Sequence, residues 1–526
     1  MGQLARAGAV ACAVALSVWL ATTSEKEQTT TNNNNNNNNR NNNSNKGELP
    51  GCKGRKISQG RPPDRELLSA ACLNPQVSSG QFENTPASPG LKLVGVSVLQ
   101  RHLDRWLYKH RLIGNVCWPG QLNSSVESSQ LAAEQCYSEL NSVWQEWPRQ
   151  PDPYARPLYG SCSVWGDSHQ GPPQATKQGR QHASFWGDML KTQYVDRWKL
   201  VSPTCTLGDI ALHCDKAQKN EITLQTVYKS ICGRLPSSLE YAPEATIVGY
   251  VTEPMRGTPW YVQSAQCSGT RLAELTAEAE KAHQADVEWN ARIRATASRL
   301  ANASGRTAAP GSPCDAASFL DSLIDCTIVH ACTGLPDVPP SLLNSRTSLP
   351  EDQDGSLFSQ VNQDETSSRV YNLNYFRRTN QSAFVEYASL YYGYCLAAIR
   401  HRLSLAALRE GPVLTVDVMS DSNISPLLAI YQLDEAMKVR PPYLSALVHE
   451  LFRNESGREL FVRVLYNGQV QQVCPGRISS SECPWAEWSQ LVAKFTPSKE
   501  SCPQFYTDFD WSGGKYQRSF SDDMTR

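Results

Sequence analysis

Arg101-His102-Leu103-Asp104-Arg105 sets one imidazole between two guanidiniums, directly after the apolar, β-branched run 91–100 (LKLVGVSVLQ). These groups suit attack on a phosphomonoester. The imidazole supplies a nucleophilic nitrogen, and the guanidinium forks bind phosphoryl oxygens and stabilise charge that builds in the transition state. Far downstream, Ser420-Asp421 follows a second such run, 413–419 (VLTVDVM). A carboxyl there could donate a proton to the leaving oxygen if burial raises its pKa. Taken alone, an R-H-x-x-R string is more often a solvated strand end than a site, so the surrounding elements must decide.

Both runs read as buried strands after turn signals, Pro89-Gly90 and Gly411-Pro412. In open α/β sheets ligands lie beyond the carboxyl ends of the strands, which would bring the two polar clusters to one edge. Residues 174–194 carry apolar side chains at helical spacing, 223–231 opens on Thr223 and stops before Gly233, and 383–408 returns the chain to the core as a helix. Residues 271–300 are long, Ala/Glu-rich and mostly polar, like a surface helix; with Cys314, Cys326, Cys332 and the Pro-rich turn 336–340 they predict an all-helical insertion. The run 460–466 (LFVRVLY), turned by Asn467-Gly468, predicts a late strand and hairpin. The fold class is α/β, a mostly parallel sheet flanked by helices plus a smaller helical cap. The core is expected over 67–262 and 384–526, and the cap over 263–383.

Composition narrows the functions. The 526 residues carry 50 basic and 51 acidic side chains, a balance that argues against a nucleic-acid partner. No His/Cys/carboxylate cluster has ligand spacing, so neither metal nor cofactor is expected. Of 17 cysteines, Cys12 lies in an N-terminal apolar run, and the other 16 read as disulfides of an oxidising compartment. That run, 7–21, has the length of a signal-peptide core. Residues 1–24 are a cleaved signal peptide or an uncleaved anchor, and 25–66, with their polyasparagine tract, a disordered stem. The body is expected to be secreted or lumenal, free or held by that single anchor as a type II membrane protein.

Several stretches fall in the order of one family. VSVLQRHLDR resembles the R-H-G-x-R-x-P signature of histidine acid phosphatases. GPPQATKQGRQHASFWGDMLKTQYV, ITLQTVYKSICGRLP, VDVMSDSNISPLLAIYQL and RPPYLSALVHELFRNESGRELFVRVLYNGQ are similar to its later helices, H-D motif and closing sheet segment. The likeness runs from about residue 91 to 480. Within the family, VRVLYNG, Cys474, Cys483-Pro484, DSLIDCTIVHAC and CLNPQVSSG resemble the 2-phosphoxylose phosphatase type. That branch is Golgi-anchored and acts on a phosphorylated glycan.

The resemblance implies His102 as nucleophile, Arg101 and Arg105 as phosphate-binding residues and Asp421 as proton donor. It also exposes departures. Leu103 replaces a Gly and should crowd the phosphate, Trp106-Leu107 replaces the x-Pro, and Ser420 replaces the His of H-D. A further family Arg is replaced by Ile222, Lys216 or His213. Asp104 reads as a solvated neighbour of Arg105, and His182 as a capping or packing residue. A fold kept while its phosphate pocket loses charge implies weak or narrowed hydrolysis, or a pseudophosphatase that binds a phosphorylated glycan or scaffolds a partner.

Overall fold

A computed structural model describes residues 72–74, 77, 87–105, 175, 177–205, 209–214, 218–233, 270–303, 357–455, 457, 459–474, 481–498 and 500–502. In chain order, β1 (Leu91–Arg101) is followed by α1 (Lys177–Leu190), β2 (Ile210–Cys214) and α2 (Gln218–Cys232). Four helices come next: α3 (Thr270–Ala285), α4 (Val287–Ala303), α5 (Leu357–Arg369) and α6 (Tyr371–Thr379). The long α7 (Gln381–Leu408) leads to β3 (Leu414–Met419), α8 (Asp421–Ile430) and β4 (Ala446–Asn454). The chain closes with β5 (Leu460–Tyr466), β6 (Gln469–Gln471), β7 (Cys483–Pro484) and α9 (Trp485–Lys494).

The strands form one helix-flanked sheet of order β2-β3-β1-β4-β5-β6, with β7 also on β5. It is mixed. Parallel pairing joins β2 to β3 and β3 to β1, whereas β1–β4, β4–β5, β5–β6 and β5–β7 are antiparallel. The "mostly parallel" expectation holds only on the side where helical crossovers separate the strands. From β4 onward the connections are short enough for neighbours to reverse direction. Asn467 and Gly468 both take positive φ, 47° and 83°, as the two-residue hairpin between β5 and β6 requires.

Alternate strand residues feed two separate apolar clusters. Val96, Val98, Val416, Val418, Val448 and Phe452 belong to a cluster that includes Trp186 and Val227 of α1 and α2. Leu99, Met419, Leu447 and Leu451 belong to the other, with Leu396, Leu427 and Trp488 of α7, α8 and α9. Burial on both faces explains why the central strands read as continuous apolar runs.

The predicted helices appear with longer bounds. Residues 174–194 become α1, continued by a π-helical stretch over Lys191–Arg197, and 223–231 becomes α2, which starts earlier. The single long helix expected over 271–300 is two, α3 and α4, and Asp286 at the break accepts a bond from Trp289 N at 2.9 Å. Among the described residues from 270 to 379 all regular structure is helical. Cys205 pairs with Cys232 and Cys474 with Cys483, but Cys214 and Cys395 are buried thiols, so the even body count is not wholly disulfide. Sequon residue Asn423 is buried and its Oδ1 accepts from Ser420 N at 3.2 Å, which leaves that position no room for a glycan. No helix among the described residues is long and apolar enough to cross a membrane, and run 7–21 lies outside them.

His449 of β4 points into the apolar cluster, with Nε2 2.9 Å from Tyr431 Oη, and burial pushes its pKa down to about 3. An unfolded imidazole titrates near 6.5, so between these values the unfolded chain binds the extra proton, and stability falls as pH falls. Replacing His449 by Gln should make acid destabilisation shallower between about pH 6.5 and 4, by up to about 1.4 kcal/mol per pH unit. Denaturant melts at stepped pH would show this as convergence of the two proteins towards acid.

Candidate phosphoryl-transfer site

β1 and β3 run parallel in register to their last residues, Arg101 opposite Met419, so the segments that follow emerge side by side. His102 N donates to Met419 O at 2.9 Å, Arg101 N to Ser445 O at 2.7 Å, and Leu444 N to His102 O at 3.3 Å. These bonds sew the motif backbone between the end of β3 and the approach to β4. His102 Nδ1 lies 2.8 Å from Leu103 O. A carbonyl only accepts, so Nδ1 carries the proton and Nε2 keeps its lone pair.

Leu103 N donates to Thr223 Oγ1 at 3.0 Å, and that hydroxyl donates to Lys219 O at 2.6 Å. The Leu103 side chain belongs to the buried apolar cluster with Val98, Ala175 and Ala183. It joins the core instead of the phosphate approach where crowding was expected.

The same α2 supplies a cation. Burial, then the charges of Lys219, Arg101 and Arg105, hold the His102 pKa far below the usual imidazole range; the bond to Leu103 O opposes them. Lys219 is 7% exposed. Its charge acts on His102, whereas the sequence offered Ile222, Lys216 or His213 for a further cation. Ile222 is a core residue, Lys216 lies outside the described residues, and His213 is 3.1 Å from buried Asp417, which also takes Arg402 Nη1 at 2.7 and 2.9 Å. Sequence reasoning missed Lys219 because the alignment of the short stretch before Thr223 was open; its place one turn before Thr223 was the available signal.

Asp421 opens α8 and is 2% exposed. Ser420, the residue before that helix, donates from Oγ to Asp421 Oδ1 at 2.8 Å. The other oxygen, Oδ2, is ion-paired with Arg440 Nε and lies 3.8 Å from Arg101 Nη2. Arg440 was not anticipated as a site residue, although the segment it begins was among the family-like stretches. Arg101 Nη1 donates to Pro441 O at 2.5 Å, its guanidinium sits 4.4 Å from the Tyr443 ring centroid, and the His102 ring is 5.6 Å from the same ring. Asn74 pins the segment from behind, donating from N to Tyr443 O at 2.8 Å and from Nδ2 to Leu444 O at 2.9 Å. From α5, Asn362 Oδ1 accepts the Arg440 N–H at 2.8 Å.

Asp104 is buried instead of solvated, and burial raises its pKa against the hydrogen bond of His182, whose Nδ1 donates to Asp104 Oδ2 at 3.0 Å. His182 therefore ties α1 to the motif. Gly179 lies against the same residue: a Cβ there would fall 2.5 Å from Asp104 O. Only a residue without a side chain lets the helix backbone come this close.

Gly179→Ala should destabilise the protein by about 1–3 kcal/mol, as overpacking does, and lower anion affinity with it; thermal melts and phosphate titration would read both. Lys219→Met should weaken inorganic phosphate binding roughly 10- to 100-fold, the worth of one charge-assisted hydrogen bond, in a competition assay against vanadate.

No protein-family model and no curated protein sequence matches the chain. Solved structures do. The apo phytase of Hafnia alvei matches with a TM-score of 0.51 at 15% identity, over 79% of this chain and 99% of that one. The same phytase in complex with myo-inositol hexakis sulphate gives the same values, and the phytase from Citrobacter braakii gives 0.50 at 14% identity over 78% and 99%. At such identity the likeness is one of fold: the chain shares the α/β architecture of these phytases across nearly their whole length.

Proposed function

We propose that the chain is a histidine acid phosphatase that hydrolyses phosphomonoesters through a phosphohistidine on His102. The observation that carries this reading is the His102 imidazole, kept neutral by burial and by Lys219, Arg101 and Arg105, with Nε2 left as its lone-pair nitrogen because Nδ1 donates to Leu103 O. In the first step Nε2 forms a bond to phosphorus as the ester P–O bond breaks, and the cations stabilise the equatorial oxygens. The leaving oxygen departs with the bonding pair and takes its proton from solvent. In the second step water adds to phosphorus, the P–N bond breaks, and a carboxylate at Asp421 takes the water's proton before passing it to solvent.

The ligand follows from the resemblance to the 2-phosphoxylose phosphatase type, supported by phytase-fold neighbours, one of them solved with an inositol hexakis sulphate. A phosphorylated glycan or polyol is the class we assign. A second reading, a pseudophosphatase that holds such a ligand without cleaving it or scaffolds a secretory partner, is favoured by one observation. Ser420 replaces the histidine of H-D and spends its hydroxyl on Asp421. A secreted or lumenal, Golgi-type location, with 1–24 as signal or type II anchor, is supported by the disulfides Cys205–Cys232 and Cys474–Cys483.

Incubation with phosphorus-labelled 4-nitrophenyl phosphate should leave an acid-labile, alkali-stable label on the protein that His102→Ala abolishes. Absence of label with intact phosphate binding would select the second reading. Since His102 stays neutral below the usual imidazole range, kcat should not fall between about pH 7 and 5, where an ordinary histidine would be lost to protonation.

A further inference from the structure

We propose that Arg440 determines which phosphoesters this site turns over, by holding Asp421 as a carboxylate in the resting site. Esters whose leaving oxygen departs without a donated proton, aryl phosphates and phosphoanhydrides, turn over fastest; alkyl and sugar phosphates, the ligand class assigned above, bind but turn over slowly, which is the narrowed hydrolysis the sequence implies. This deepens the phosphohistidine reading and rests on it.

The argument is geometric. Asp421 Oδ2 faces two guanidiniums, Arg440 by direct ion pair and Arg101 at 3.8 Å, while Oδ1 accepts the Ser420 hydroxyl at 2.8 Å. Each of these donors favours the charged form, and a carboxyl proton would weaken the ion pair with both guanidiniums. The pair is shut away from water: Arg440 is 4% exposed and Asp421 2%. Arg440 is also held from behind, its N–H on Asn362 Oδ1 at 2.8 Å and its carbonyl side continued by Pro441-Pro442, whose rings fix φ and restrict the residue before each. The guanidinium is thus positioned on the carboxylate by the backbone and by a helix of the insertion.

The chemistry follows. When His102 Nε2 bonds to phosphorus and the P–O bond breaks, a phenolate or phosphate leaves with its electron pair unaided. An alkoxide needs a proton that an ionised Asp421 does not carry, and general-acid assistance of this kind is worth roughly 10²- to 10⁴-fold. The same ionised carboxylate suits the second step, where water must lose a proton.

The test is a leaving-group series on the full-length protein: 4-nitrophenyl phosphate, phenyl phosphate and glycerol 2-phosphate, with wild type, Arg440→Gln and Arg440→Lys. In the wild type, kcat should fall steeply along the series. Arg440→Gln should raise the glycerol-to-nitrophenyl ratio about 10-fold or more, and Arg440→Lys should keep it near wild type. Equal ratios in wild type and Arg440→Gln overturn the proposal. Should Arg440→Gln not fold, Asn362→Ala releases the same arginine more gently and should move the ratio in the same direction; no movement counts against the proposal. Carboxyl 13C resonances of Asp-labelled protein, assigned with Asp421→Asn, give a readout that needs no turnover. Asp421 should be ionised at about pH 5 in the wild type, and a protonated resonance there overturns the clamp. If the wild type cleaves no ester and takes no label at His102, the phosphatase reading itself fails, while the resonance still decides the state of Asp421.

Discussion

Everything at this site depends on the parallel pairing of β1 with β3 running to the final residue of each strand. Arg101 stands opposite Met419, and the next backbone bond, His102 N to Met419 O, carries the pairing one step past the sheet. Because the two strands end level, the Arg101 guanidinium comes within 3.8 Å of the Asp421 carboxylate although most of the chain lies between them. A register slip of one residue would turn every side chain to the opposite face, and two buried apolar clusters, one on each face, forbid it. The packing that stabilises the sheet therefore also sets the geometry of the chemistry.

Burial then decides what the charged groups can do. Arg101, His102, Arg105, Lys219, Asp421 and Arg440 are all largely removed from water. In such surroundings a charge is costly unless it is paired or hydrogen-bonded, and attraction between charges is stronger than at the surface. His102 responds by staying neutral, pushed there by burial and by three neighbouring cations. Asp104 is drawn the other way and is met by His182. Three buried cations thus stand around an imidazole that is already neutral, an arrangement suited to holding an anion.

The segment from Arg440 to Ser445 gives the arrangement a back wall. Each polar or aromatic group along it touches the motif: Arg440 the carboxylate, Pro441 O the Arg101 guanidinium, Tyr443 the faces of Arg101 and His102, and Ser445 O the Arg101 backbone. Asn74 from the start of the described chain and Asn362 from the helical insertion hold that wall in turn. The Asn362 amide thereby links α5 to Asp421 through Arg440, although α5 contributes no residue of the motif.

Much of this was legible in order of residues alone. The apolar runs ending at Arg101 and Met419, the turn at Asn467-Gly468 and the long, largely apolar stretch of α7 identify strands, hairpin and helix because local backbone preference and burial agree there. The family-like string at Arg101–Arg105 marked His102, and Asp421 was marked by its place after the second run. What sequence could not reach were partners chosen in space. Lys219, Arg440, Tyr443 and Asn362 match no spacing pattern, and Asp104, which reads as surface, is buried by the approach of Gly179. A periodic pattern reports which face of an element is apolar. Which distant side chain fills the remaining hydrogen-bonding or charge requirement at a strand end is decided only when helices dock on the sheet, since that depends on distances no local run of residues encodes.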